Sequence, residues 1–174
     1  VLVRTIPLQH RVYTNGFLFQ EKEGERRLNM DAIAQYPEIE VCDYQNIKNG
    51  KDIILENGKT IANTELTFEP HRPQSYAYCS DTVYLEDLAT EIRGTRVIYH
   101  ESTFLKINEE LAAKTMHATA YQAGLVAKNA QAEALILGHY SSRYPDVNMF
   151  KQEAQEVFKN VFLAEDGKKF VFEN

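Results

Sequence analysis

No apolar run in this sequence approaches the roughly 18 residues that a membrane-spanning helix needs, so a transmembrane protein is not expected. Cysteine is scarce. Cys42 and Cys79 stand far apart in no metal-like spacing, which argues against a disulfide scaffold and for a reducing compartment. Repeats and low-complexity segments are absent, which excludes collagen-like and disordered classes. Positive charge is in deficit: 19 Lys+Arg against 25 Asp+Glu give a formal net charge of −6. An acidic balance is weak evidence against a nucleic-acid partner. The chain begins at Val1 with no signal-peptide pattern after it, so it is expected to be a fragment or to have lost a preceding segment. What is present is ordinary: 174 residues, 44% hydrophobic and 25% charged, the length and composition of one globular domain.

Short runs rich in Val, Ile, Phe and Tyr predict strands over Val12–Gln20, Asp52–Leu55, Ser75–Cys79, Arg96–Tyr99, Ala134–Leu137 and Phe170–Glu173. Asn57-Gly58 and Asp166-Gly167 read as turns, the latter closing a terminal hairpin between Val161–Ala164 and Lys169–Phe172. Asn15-Gly16 is a turn dipeptide inside an apolar run, equally a strand-end bend. Helical spacing of apolar residues predicts helices over Thr119–Ala130 and, from an Asp146 cap, over Asp146–Phe158. A short helix is expected over Asn29–Tyr36, stopped by Pro37. Strands alternate with helices toward the C-terminus, so the fold class is α/β or α+β. Glu38–Arg72 is polar, offers only a weak hairpin, and reads as an excursion from the main body.

Several strands end in residues able to bind metal or move protons. Asp81 follows Tyr76–Ser80, His100 and Glu101 follow Val97–Tyr99, and His139 follows Ala134–Gly138. His117 precedes the Thr119 helix. Ligand sites in α/β sheets gather at strand C-termini. Imidazole nitrogen with carboxylate oxygen is a ligand set for Zn²⁺ or Mn²⁺, and a metal pair suits in-line phosphoryl displacement. Taken singly, each has a plainer role: a hydrogen-bonded structural histidine, a turn at Asp81-Thr82, or a helix cap at Glu101. His71, between Pro70 and Pro73, reads as a loop residue.

The ordered segments Ser75-Tyr-Ala-Tyr-Cys-Ser-Asp-Thr82, His100-Glu-Ser-Thr103, His117-Ala-Thr119 and Gly138-His-Tyr-Ser-Ser-Arg-Tyr144 resemble the C-terminal half of the ribonuclease Z family. These are tRNA 3′-processing endoribonucleases of the metallo-β-lactamase superfamily. Ile6-Pro-Leu-Gln-His10-Arg-Val and Phe162-Leu-Ala-Glu-Asp-Gly167 extend the likeness over essentially the whole chain.

The resemblance implies an α+β fold, the αββα sandwich, of which this chain gives one sheet, flanking helices and a protruding arm at 31–72 within a single domain spanning 1–174. It implies His10, Asp81 and His139 as metal ligands, with Asp81 bridging two Zn²⁺ ions (Mn²⁺ the alternative). His117, supported by Glu101 and beside His100, would assist departure of the leaving oxygen, and Arg143 would hold a phosphate. Ser102 stands where the family has Ala, Ala118 where it has Ser, and the arm's usual Pro-Gly-Pro-like turn is replaced near Val41-Cys-Asp43. The family's His-x-His-x-Asp-His motif is absent, so the N-terminal half is expected to be missing and this fragment to be inactive alone.

The implied whole is a cytoplasmic, homodimeric enzyme that removes the 3′ trailer from precursor tRNA by attack of metal-activated water on a phosphodiester. Arg143, Lys48 and Lys51 would grip RNA despite the net negative charge. The alternative is another metallo-β-lactamase-fold hydrolase acting on a thioester, a lactone or a small phosphodiester. A third reading is a non-catalytic module that associates through an uncovered sheet face.

Overall fold

The computed structural model describes residues 1–172. In chain order its elements are β1 (Leu2–Gln9), β2 (Tyr13–Gln20), β3 (Arg27–Leu28), α1 (Met30–Ile33), α2 (Tyr44–Lys48), β4 (Ile53–Ile54), β5 (Thr60–Ile61), α3 (Asn63–Leu66) and β6 (Thr67–Phe68). There follow β7 (Ser75–Cys79), α4 (Leu88–Glu91), β8 (Val97–Glu101), α5 (Glu109–Thr115), α6 (Ala120–Asn129), β9 (Ala134–Gly138), α7 (Asn148–Gln155) and β10 (Val161–Leu163). The chain divides into two compact units. Among the described residues one comprises Val1–Glu21 with 74–172; the other is Lys22–Pro73.

The first unit is built on a six-stranded mixed sheet of order β1-β2-β7-β8-β9-β10. The β1–β2 and β2–β7 pairs are antiparallel, and β7, β8, β9 and β10 run parallel. All five residues of β9 are buried, as a strand inside a parallel sheet demands. One sheet face carries Ala77, Cys79, Ile98, Leu135 and Leu137 against Leu88, Ile92, Ala123, Val126 and Phe150 of the helical segments. Helix α6 starts on a capping box in which the Thr119 hydroxyl accepts from Gln122 N–H and the Gln122 side chain accepts from Thr119 N–H. The opposite face carries a smaller cluster of Val97, Ala134 and Ile136 with Tyr76, Tyr99, Phe162, Phe170 and Phe172. There Phe17, Phe19 and Tyr78 remain 38%, 37% and 37% exposed.

Several expectations are corrected. Strand β1 was not anticipated, because most of its residues are exposed and pairing with β2, rather than a buried face, holds it. Asn15-Gly16 is neither turn nor bend but mid-strand in β2. A Cβ on Gly16 would lie 2.5 Å from the Tyr78 carbonyl oxygen, so glycine there permits close backbone approach. The terminal hairpin does not form: β10 pairs in parallel with β9, and 168–172 form no strand. Glu173, the end of the expected last strand, lies outside the described residues. The helix expected from Asp146 is shorter, Asn148–Gln155, although the Asp146 carboxylate accepts from Asn148 N–H at 2.9 Å.

The second unit begins before the 31–72 segment set aside in the sequence, and it is not merely polar. Ile33, Ile39, Ile47, Leu55, Ile61 and Leu66 form a core of its own. Asn29 caps α1 through Ala32 N–H, β4 and β5 pair around Asn57-Gly58, and β3 pairs with β6. Among the described residues no helix is long and apolar enough to cross a membrane.

Candidate functional site

Parallel register brings the ends of β7, β8 and β9 to one edge of the sheet, with Cys79 opposite His100 and Glu101 opposite Gly138. Asp81, Glu101 and His139 therefore emerge side by side although they are distant in sequence. Val83 N–H donates to the Gln9 carbonyl at 2.9 Å, and Gln9 N–H to the Thr82 hydroxyl at 3.2 Å. These bonds bring the end of β1, and so His10, to the Asp81 loop. The loop carrying His117 is held by His117 N–H donating to Ala112 O at 2.9 Å and by Ala120 N–H donating to Phe104 O at 2.9 Å. It leaves α5 through Met116 at φ 62°.

Asp81, His117 and His139 each offer a ligand atom, all within 4.8 Å of one another. His139 Nε2 lies 3.5 Å from Asp81 Oδ1. The His117 ring lies 5.3 Å from the His139 ring and 4.8 Å from the His10 ring, centroid to centroid. Behind these side chains Glu101 is fully buried. Its Oε1 accepts from Thr82 N–H at 3.0 Å and His117 Nδ1–H at 2.8 Å. Its Oε2 accepts from Thr103 N–H at 3.0 Å and the Thr103 hydroxyl at 2.7 Å. The same hydroxyl lies 2.7 Å from His139 Nδ1 and 3.2 Å from His117 Nδ1.

Partners set the tautomers. His10 Nδ1 faces the Met116 carbonyl at 2.8 Å. A carbonyl only accepts, so Nδ1 carries the proton and the Nε2 lone pair is free. The carboxylate of Glu101 imposes the same on His117. A carboxylate with imidazole Nε2 donors is a set that suits a divalent metal ion such as Zn²⁺.

Not every expected residue joins this group. His100 is fully buried. Its Nδ1–H donates to the Glu101 carbonyl at 2.6 Å, and its Nε2 has no hydrogen-bond partner among the described residues. Strand alternation turns its ring to the face opposite the Glu101 side chain. Burial holds the His100 pKa below the ordinary histidine value. Arg143 is exposed. Its guanidinium lies 5.9 Å from the Phe104 ring, which is itself 6.2 Å from that of His117. His71 is an exposed loop residue of the second unit. Thr103 was given no role from sequence, and Thr82 only that of a turn residue beside Asp81. The signal for Thr103 was its place two residues after a strand-end glutamate, which suits a turn that folds back on that carboxylate.

No protein-family model matches the chain. It is 42% identical over 172 residues to a ribonuclease Z of Phocaeicola vulgatus, covering 99% of this chain and 55% of the relative. A ribonuclease Z of Cytophaga hutchinsonii is 43% identical over 169 residues, with 97% and 53% covered. Over its length this chain is similar to about half of these ribonuclease Z sequences. It spans only about half the length of the curated ribonuclease Z relatives it matches. Its fold is that of metallo-β-lactamase-fold proteins. Bacillus subtilis YhfI, a protein of that fold, matches with TM-score 0.60 at 15% identity, over 95% of this chain and 47% of the other. A long-form ribonuclease Z from yeast matches with TM-score 0.59 at 18% identity, over 94% and 16%.

Proposed function

We propose that the protein is a tRNA 3′-processing endoribonuclease, a phosphodiester hydrolase that removes the trailer from precursor tRNA with Zn²⁺, or Mn²⁺ in its place. The observation that carries this reading is the convergence of Asp81, His117 and His139 within 4.8 Å in a ribonuclease Z homologue. Asp81, His139 and His10 would hold the metal. When bound, a divalent ion supplies a nucleophilic water at neutral pH and neutralises phosphoryl charge.

The chain's own residues do the rest. His117 Nε2 delivers a proton to the leaving oxygen. The Glu101 carboxylate, 2.8 Å from His117 Nδ1, accepts the Nδ1 proton and orients the ring, leaving Nε2 as the nitrogen that takes up and delivers the transferred proton. The Arg143 guanidinium, planar and always charged, holds a phosphate oxygen pair. The 22–73 unit grips the tRNA body. The same reading carries a cytoplasmic homodimer.

Glu21 N–H donates to Gln74 O at 2.9 Å, so a short linker can replace 22–73 without opening the sheet. In the full gene product this deletion is expected to abolish precursor-tRNA cleavage while sparing hydrolysis of a small chromogenic phosphodiester. Surviving precursor-tRNA cleavage would overturn the assignment of that unit to RNA binding.

A further inference from the structure

The Thr103 hydroxyl touches three chemically active side chains, yet it has a single proton to give. Its Oγ1 lies 2.7 Å from Glu101 Oε2, 2.7 Å from His139 Nδ1 and 3.2 Å from His117 Nδ1. Which way each bond runs is decided by the partners. The backbone N–H groups of Thr82 and Thr103 only donate, and each points at a different oxygen of Glu101, at 3.0 Å in both cases. Both carboxylate oxygens are therefore acceptors, and the Thr103 proton goes to Oε2. With its proton so committed, Oγ1 faces the histidines only as an acceptor.

His139 Nδ1 must then carry a proton, which leaves the Nε2 lone pair on the side of Asp81, 3.5 Å from Oδ1. His117 Nδ1 shares its proton between Glu101 Oε1 at 2.8 Å and Oγ1 at 3.2 Å. One buried carboxylate thus dictates the proton positions of two histidines, of His117 directly and of His139 through Thr103.

From this geometry we infer that Thr103 is a positioning residue: it relays the orientation imposed by Glu101 to His139, fixing the tautomer in which His139 Nε2 is free to bind a metal. Metal-binding histidines need such an outer partner on the ring nitrogen that does not ligate, and its loss weakens binding. Three features show that the relay is built rather than incidental. Thr103 is buried, with 8% exposure. Its backbone is clamped on both sides, with its N–H on Glu101 Oε2 and its carbonyl accepting from Ser141 N–H at 3.1 Å. His139 is held at φ 60°, a left-handed conformation costly for a side chain with a Cβ, and this conformation sets where the ring starts. The inference rests on the metal-site reading above, and its test separates the two.

The test is nitrogen-15 NMR of the histidine rings in the metal-free full gene product, at a pH above about 8 where imidazole is neutral. It compares the parent with Thr103→Val and Thr103→Ser, and is paired with zinc affinity from competition with a chelating dye. The parent and Thr103→Ser are expected to show His139 protonated at Nδ1. Thr103→Val, close in volume and unable to accept, is expected to move that proton to Nε2 and to weaken zinc binding about 10–100-fold. Retention of the Nδ1–H form of His139 in Thr103→Val would overturn the relay. The ring measurement is made without metal or RNA. A normal tautomer switch in a protein that binds no zinc would leave the relay standing and refute the metal-site reading instead.

Discussion

Glu101→Gln is a sharp test of the network, because it changes one oxygen to NH₂ and alters volume hardly at all. The wild-type carboxylate accepts four hydrogen bonds, two at each oxygen. A glutamine amide satisfies one side and sets an NH₂ on the other. On the Oε2 side the Thr103 hydroxyl can reverse, but Thr103 N–H cannot. On the Oε1 side His117 can change tautomer, but Thr82 N–H cannot. Either way one buried backbone N–H opposes another donor, which costs about 1–3 kcal/mol. Bonds that keep an acceptor also lose their charge assistance, worth up to about 1 kcal/mol each, partly offset because a buried carboxylate no longer has to be desolvated.

The expected loss is about 2 kcal/mol, with about 1 kcal/mol as the floor. Urea unfolding in chelator reads it as a lower midpoint at unchanged m-value, and the chelator removes any contribution from bound metal. Glu110→Gln, at an exposed position, should stay within about 0.5 kcal/mol of the parent. A Glu101→Gln protein as stable as that control would refute the hydrogen-bond account.

Two further outcomes follow from packing and burial. Gly124→Ala should destabilise by about 1–2 kcal/mol in thermal or urea unfolding, although Ala in a helix ordinarily gains up to about 1 kcal/mol over Gly. The added Cβ would sit 2.8 Å from Val157 Cγ2 and 2.9 Å from the Ala154 carbonyl oxygen, so a stabilised variant would contradict the α6–α7 contact. Buried His100 has a folded-state pKa below that of the unfolded chain, so below about pH 6.5 the unfolded state binds the extra proton. Its contribution is therefore complete above that pH and lost as pH falls; His100→Leu should flatten the fall in stability between about pH 6.5 and 5 by up to one proton's slope, and an unchanged slope would show that His100 does not titrate on unfolding.

Strand β7 runs from Ser75 to Cys79 as its alternating tyrosines predict, and α6 starts on the Thr119 cap, because both signals are local. Strand β1 and the parallel pairing of β10 with β9 were not legible, since β1 is held by pairing with β2 rather than by its own burial pattern and β10 by a strand more than twenty residues away. Gly16 misled for a related reason: close approach of Tyr78 and a turn both call for glycine. At the site, the candidate ligands Asp81 and His139 were legible as strand-end residues, but their convergence needed the sheet order. Thr103 was not, because a threonine has no chemistry of its own until a carboxylate and two imidazoles are known to surround it. His100 looked equivalent to Glu101 in sequence, yet the two-residue strand period sends their side chains to opposite faces.

The most direct test of the central claim is to measure precursor-tRNA cleavage, precursor-tRNA affinity and bound metal together for His117→Ala in the full gene product. The account predicts a cleavage rate lowered about 10²–10⁴-fold, the scale of a lost proton donor, with affinity and metal content unchanged. A loss of affinity in proportion to the loss of rate, or a protein that no longer holds its metal, would contradict the role given to His117.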